Sequence, residues 1–373
     1  LMKLSKFSVS IVYEDNRSID ISDTVLNLNI TENIFGNLEG KIEIVDGVGM
    51  LDNAITKGNL ILLEFEYFDH TVKHSFHLDG VNAIDVTTNL TKKTYVINLK
   101  SIDTFINTAQ LISKSFKGTS TDIIKSIFDG SFSKNLKVLA NSITKGHYIA
   151  PNISPNTAIK QVKSQAYDID SSPFFMFERL VDSKNAFLTS LTQINGQSTM
   201  ATISPSIQNA DTVENQLGNI GQPASVVVHS DNDNISYKVA NGVYGKTIVN
   251  ADISKSSVDV EVFGEMSNSG SSLNLLRMDM YDNDSKPLLH TNDQINICNM
   301  TSMLNMIFSI RVTAYECQAI PGLGVGNKVK VLLNKQQQTQ SRSGKFSGVY
   351  LVSKIIHTIK DNDYTQTIEL AKE

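Results

Sequence analysis

The 373-residue chain has two cysteines, Cys298 and Cys317, and no tryptophan. Two cysteines make no disulfide framework, and no CxxC pair points to zinc or redox chemistry, so two free buried thiols are expected. The lack of tryptophan removes a usual sugar-stacking side chain. No apolar run approaches the roughly 20 residues that a membrane helix needs. Lys3 and Lys6 precede Phe7-Ser8-Val9-Ser10-Ile11, which alternates like a strand and lacks the apolar block of a signal peptide. No stable membrane insertion is expected. No long basic block is present and the net charge is -5, which disfavours nonspecific grip on phosphates.

What is present is a chain able to bury real cores, with 40% hydrophobic and 19% charged residues. Its length fits two to four domains. Residues 1–101 read as nearly all β. Short runs rich in Ile, Val, Phe, Tyr and Thr fall at 7–13, 25–30, 40–45, 60–68, 73–78 and 93–99. Lys41-Ile42-Glu43-Ile44 alternates, which implies one covered and one wet face. The pattern changes at Ser101. Helical spacing is predicted over 101–113 and 119–128, with Ser120 or Thr121 as cap and Gly130 as stop. A third helix is predicted from about Asn156 behind Pro155. Phe174–Glu178 and 186–191 read as strands. Residues 102–212 therefore form a mixed α/β domain. Strand character returns at 226–228, 239–249 and 258–263. Residues 264–290 read as exposed loops and 292–310 as a helix. The fold class expected is mainly β with α/β insertions: two tube-like antiparallel β-barrel domains plus a mixed α/β domain. The first barrel spans 1–101 and the second 213–263 with 311–373, interrupted by a loop and helical insertion at 264–310.

The most informative feature is an internal repeat, whose landmarks lie roughly 270 residues apart. Lys57-Gly58-Asn59-Leu60-Ile61-Leu62-Leu63 resembles Val325-Gly326-Asn327-Lys328-Val329-Lys330-Val331. Phe76 and Gly80 pair with Phe346 and Gly348. Thr94-Tyr95-Val96-Ile97-Asn98-Leu99 resembles Thr365-Gln366-Thr367-Ile368-Glu369-Leu370. Duplicated β units in one chain allow three subunits to present six similar faces around a closed ring.

Residues for chemistry are sparse. His70, His74 and His77 form the one local histidine group, but in a strand His74 and His77 point to opposite faces. HExxH and GxSxG are absent. Pro321-Gly322-Leu323-Gly324-Val325-Gly326 lacks the Lys-[Ser/Thr] of a phosphate loop and feeds a strand, so it reads as a tight turn. Glu178, Asp182, Glu261 and Glu265 are acid candidates by position alone, without a recognisable pair. Asp231, Asp233, Asp282 and Asp284 fit turns better than a calcium loop. No catalytic, cofactor-binding or metal-binding residue is assigned, no cofactor is expected, and the chain reads as a non-enzyme.

Several segments in order resemble the baseplate central hub proteins of tailed phages, a family related to phage late-control proteins and the hub part of type VI secretion spikes. They are Phe35–Asp46, Ser154-Pro155 with the helix to Tyr167, Phe174–Phe177, Gly242-Val243-Tyr244-Gly245, Pro321–Val331, Ser343–Phe346, Val349–His357 and Ile368-Glu369-Leu370. The resemblance implies a homotrimeric ring in the baseplate of a virion, assembled in the host cytoplasm. The ring would join the sixfold tail tube, or a tube-initiator ring, to a trimeric central spike and touch other baseplate proteins. DNA would only pass through its axial channel. The sequence ends at Glu373 just after the second predicted barrel, so on this reading the spike is a separate chain. Ile42, Ile44, Phe65, Val96, Ile97 and Leu99 are expected to divide between a core and the opposite sheet face, as are Val329, Val331, Ile355 and Ile368. Loops 33–37 and 322–327 are candidate contacts to tube or spike. The alternatives are a tail-associated glycan-degrading enzyme, a tail-tube or distal-tail component, and a carbohydrate-binding receptor protein.

Overall fold

A computed structural model describes residues 2–13, 17–47, 58–86, 93–204, 222–229, 246–252, 257–263, 273–278, 300, 303–304, 307–308, 310–333 and 346–372. The first third supplies β1 (Met2–Lys3), β2 (Lys6–Tyr13), β3 (Ser18–Asp20), β4 (Val25–Asn33), β5 (Glu39–Asp46), β6 (Gly58–Tyr67), β7 (His70–Val86) and β8 (Lys93–Ser101). All six predicted strands of this region are present. Alternation drives them: in β5, Ile42 and Ile44 are buried while Lys41 faces water.

The middle of the chain contains α1 (Ile102–Ala109), β9 (Ile112–Thr119), α2 (Ser120–Asp129), β10 (Asn135–Val138), β11 (Lys145–Ile153), α3 (Pro155–Lys163), β12 (Phe174–Arg179), β13 (Asp182–Ser190), α4 (Leu191–Asn195) and β14 (Thr199–Ile203). The cap of α2 is Thr119, one residue before the predicted ones, in a reciprocal capping box with Asp122. Ser154 caps α3 and Pro155 opens it. The end of the first predicted helix belongs to β9, whose polar sequence ISKSFKGT hid its strand character. The apolar stripes of α2 and α3 pack with β10, β12 and β13 around Ile124, Ile127, Phe128, Ala158, Ile159 and Leu188.

The last third supplies β15 (Ser225–His229), β16 (Lys246–Asp252), β17 (Ser257–Phe263), β18 (Leu273–Met278), β19 (Ile310–Gln318), β20 (Lys328–Val331), β21 (Gly348–Lys360) and β22 (Asp363–Lys372). Strand β18 falls where exposed loops were predicted. Of the predicted helix 292–310, Met300, Met303, Leu304 and Ile307 are helical and Ile310 opens β19. Its other positions through 309, Cys298 among them, lie outside the described residues except Phe308, as does Gly242-Val243-Tyr244-Gly245.

The expectation of two β-barrel domains is overturned. Fourteen strands form one sheet with the order β15-β19-β22-β21-β4-β5-β8-β7-β6-β2-β3, with β1 beside β22, β20 beside β21 and β14 beside β20. Among the described residues, no sheet closes into a barrel. The physical reason is the pairing of β21 with β4, from Lys354↔Asn33 to Lys360↔Asn27, which fuses the two expected units edge to edge. The remaining sheets are β10-β13-β12, β11-β9 and β17-β16-β18.

Within the large sheet the repeat is visible as topology. The order β4-β5-β8-β7-β6 in the first third matches β15-β19-β22-β21-β20 in the last, with every neighbouring pair antiparallel. The units share a register break at a matched position, between Leu78 and Gly80 and between Val352 and Lys354, and β7 has a second between Val81 and Ala83. Register equates Leu60 with Lys328, since these face His77 and Leu351. It also sets Phe76 opposite Ile61 as Tyr350 sits opposite Val329, so the Phe76/Phe346 and Gly80/Gly348 landmarks of the sequence are displaced.

Ile42, Ile44, Phe65, Ile97 and Leu99 are buried in the core of the first unit, and Val96 takes the opposite face. Val329, Val331, Ile355 and Ile368 all lie in the core of the second.

Candidate functional site

The chemically distinctive place in the molecule is the seam where the two units meet the middle segment. Alternation along β4 places Leu28, Ile30 and Glu32 on the buried side, so the third of these is a carboxylate with 0% exposure. A buried carboxylate must be hydrogen-bonded or it would be severely destabilising. Glu32 Oε1 accepts from the Leu180 amide at 2.6 Å and Oε2 from the Val325 amide at 3.0 Å. His357 Nε2 lies 3.1 Å from Oε1, and His357 Nδ1 lies 2.7 Å from the Tyr364 hydroxyl. Gln366 Nε2 donates to that hydroxyl at 3.1 Å, and Gln366 Oε1 accepts from the Ile320 amide at 3.0 Å. With the His357 proton on Nε2, every group in this relay has a partner. Burial, with Tyr67 next, pushes the Tyr364 hydroxyl well above its ordinary pKa.

A second buried pair fastens the other side of the β12–β13 hairpin. Lys134 Nζ lies 2.7 Å from Glu178 Oε2, and both side chains are buried. The Leu38 amide at 3.3 Å and the Ser101 hydroxyl at 3.2 Å also donate to Glu178. Residues from β8, β12 and the loops before β5 and β10 thus meet at one ion pair. Arg179 completes the fastening. Its Nε donates to the Val325 carbonyl at 2.9 Å, and its guanidinium lies over the Phe177 and Phe187 rings at 5.3 and 4.8 Å.

The glycine-rich turn is packed inside this seam and cradles no phosphate. A Cβ on Gly324 would lie 2.7 Å from Arg179 Cδ, and one on Gly326 would lie 2.5 Å from the Phe177 ring. Gly326 also has φ +78, which favours glycine. Leu323 and Val325 are fully buried, so much of the candidate contact loop 322–327 faces the chain's own interior. In loop 33–37, Ile34 is buried while Phe35 remains largely exposed against Phe175 and Phe308.

The other sequence candidates do not converge. His74 is buried, stacks on Phe76 at 4.7 Å and has its pKa lowered to about 3 by burial, with the Lys134 charge second. His77 takes the opposite face and stacks on Phe105. His70 packs tilted against Tyr67 instead, with ring centroids 5.7 Å apart. Asp182 is held by Asn185 and Lys137. Glu261 falls in β17, whereas Glu265, Asp231, Asp233, Asp282 and Asp284 lie outside the described residues. Cys317 is buried, and burial raises its thiol to about 12. Among the described residues, no group of three or more His, Cys, Asp or Glu side chains is placed to hold a metal. No described helix is long and apolar enough to cross a membrane.

Sequence reasoning missed Glu32, Lys134, His357, Tyr364 and Gln366 as a set. The available signal was strand parity: Glu32 falls in step with Leu28 and Ile30, and His357 in step with Ile355 and Ile359.

No protein-family model matches the chain, and no curated protein matches it. Solved structures do. A tail protein from Neisseria meningitidis MC58 aligns with TM-score 0.60 and 12% identity over 98% of this chain and 96% of its own. The 43 kDa tail protein of prophage MuSo2 from Shewanella oneidensis aligns with TM-score 0.61 and 9% identity over 98% of both chains. A chain of the Francisella PdpA-VgrG complex gives TM-score 0.53 and 12% identity over 99% of this chain and 58% of its own. The fold is therefore one that these two tail proteins possess, nearly from end to end.

Proposed function

We propose that this chain is a non-enzymatic structural subunit of a phage tail or a closely related injection machine. In the finer form of the reading it is a baseplate hub. Three copies form a ring that joins the sixfold tail tube to a trimeric spike, and the genome passes through the central channel. The observation that carries the reading is the repeated strand order, β4-β5-β8-β7-β6 and β15-β19-β22-β21-β20. Two similar units per chain give a threefold ring six similar sectors, which is what a sixfold tube requires. The likeness to two tail proteins over nearly their whole lengths supports the same reading. The polar seam serves it by fixing the angle between the units, since buried, fully bonded networks specify one geometry. Chemistry at Glu32 or Glu178 is disfavoured because their oxygens are occupied by backbone amides and Lys134.

Single-particle electron microscopy of the purified assembly tests the proposal. Class averages with threefold symmetry, an open centre and six similar sectors are expected. A compact particle without a channel refutes it.

A further inference from the structure

The chain contains the template for its own contact with a second copy. Unit two joins unit one through β21 and β4. The counterpart of β21 is β7, and the counterpart of β4 is β15. On β7 the first half, to His77, pairs with β6, while β8 covers the opposite edge from Phe76 to Val86. Among the described residues, no strand covers the first edge beyond His77. Strand β15 ends the sheet path, paired on one edge with β19. The two edges left uncovered among the described residues are therefore the counterparts of the two that already join within the chain.

Exposure agrees with this placement. Val81 faces Ile97 across the β7–β8 pair as Ile355 faces Ile368 across β21–β22. Ile355, at the covered edge, is 0% exposed, whereas Val81 is 41% exposed. Val227 on β15 is also 41% exposed. A short apolar edge with unpaired backbone groups is a template for strand addition.

The geometry points to an antiparallel pairing of β7 residues 81–86 with β15 of the next copy, in the register that β21 and β4 use within the chain. Thr358 pairs with Asn29 and Ile359 with Leu28. Following the ladders through β22 and β8 equates Thr358 with Asp85 and Ile359 with Val86. Following them through β19 and β5 equates Asn29 with Val227 and Leu28 with Val226. Asp85 of one copy therefore sits opposite Val227 of the next, and Val86 opposite Val226. Each copy offers one β7 edge and accepts one β15, a head-to-tail contact that closes into a ring. This inference rests on the ring reading above and adds the contacting strands and their register.

Paired cysteines test it in the assembled protein. Asn29→Cys with Thr358→Cys is the control and bonds within one chain, leaving its denatured mass unchanged. Asp85→Cys with Val227→Cys should, on oxidation, give covalent dimers and trimers that stop at three, and neither single variant should do so. A trimer by native mass in which the control bonds but Asp85→Cys/Val227→Cys does not overturns this register and leaves the ring standing. A monomer by native mass with no cross-link overturns both. Amide exchange on the unaltered protein covers the case of a misfolded variant. Residues 81–86 and 225–229 should exchange at least tenfold more slowly in the assembly than in the diluted chain, and equal rates overturn the pairing.

Discussion

The two β units share strand order and the position of a register break, yet they differ in what they meet at their edges. In the first unit β6 continues into antiparallel β2, whereas in the second β20 continues into parallel β14, contributed by the middle segment. They differ also in what fills matched positions. Ile84 and Tyr95 of unit one stand where unit two has His357 and Gln366, opposite each other in both. The buried relay thus occurs at the edge that joins the units inside the chain. The matching edge of β7 carries aliphatic Val81 and Ile84 instead. A duplicated fold can keep its backbone ladder while only one of two matched edges becomes a polar seam.

Several changes break or sharpen that contrast. Glu32→Ala should have the largest effect. It strands the Leu180 and Val325 amides and His357, and should lower unfolding free energy by about 3–5 kcal/mol in a denaturant titration. A loss below about 1 kcal/mol would mean that the seam is held by the β21–β4 ladder alone. Lys134→Ala should follow at about 3 kcal/mol, since it leaves Glu178 without its cation. Gly326→Ala should cost about 1–3 kcal/mol through its positive φ and the approach to Phe177, whereas Gly36→Ala, with open space around it, should stay within about 0.5 kcal/mol.

A pH-dependent effect, small near neutrality, concerns His74, whose register counterpart is Gly348: they face Leu63 and Val331. Burial holds the His74 pKa near 3 in the fold against 6.5 unfolded. The unfolded chain therefore binds the extra proton first. The stability tied to neutral His74 is present above pH 6.5 and is lost as pH falls from there toward 3, on the order of 1.4 kcal/mol per unit at most. His74→Leu should flatten that part of the pH profile. Near pH 7 it should change stability by about 1 kcal/mol or less, because Nε2 has no partner among the described residues and only the Nδ1 contact to the Ser75 carbonyl at 3.2 Å is lost.

Much of the fold was legible because one-sided burial writes itself as alternation. Strands β2 and β4–β8 follow from it, whereas β12 and β15 follow from short apolar runs and the turn entering β20 from its glycines. Strands β9, β11 and β18 were not legible, because ISKSFKGT and KGHYIAPNI carry little apolar alternation and 264–290 reads as polar loop. The repeat was legible in its landmarks but not in its register, because residues 64–73 join the paired Leu63 and His74 while the longer stretch 332–347 joins Val331 and Gly348. Barrel closure was misjudged because edge pairing between segments more than 300 residues apart, as in His357↔Ile30, leaves no local sequence signal. The carboxylate relay escaped for a related reason. Glu32 was readable as an inward charge, but its partners Leu180, Val325 and His357 are brought together only by the tertiary fold.

The native mass of the protein, alone and within the assembled tail particle, bears most directly on the central claim. The account predicts a species of three times the 41.1 kDa chain mass in the particle. A single-copy subunit in both settings contradicts it, whatever the likeness of the two β units.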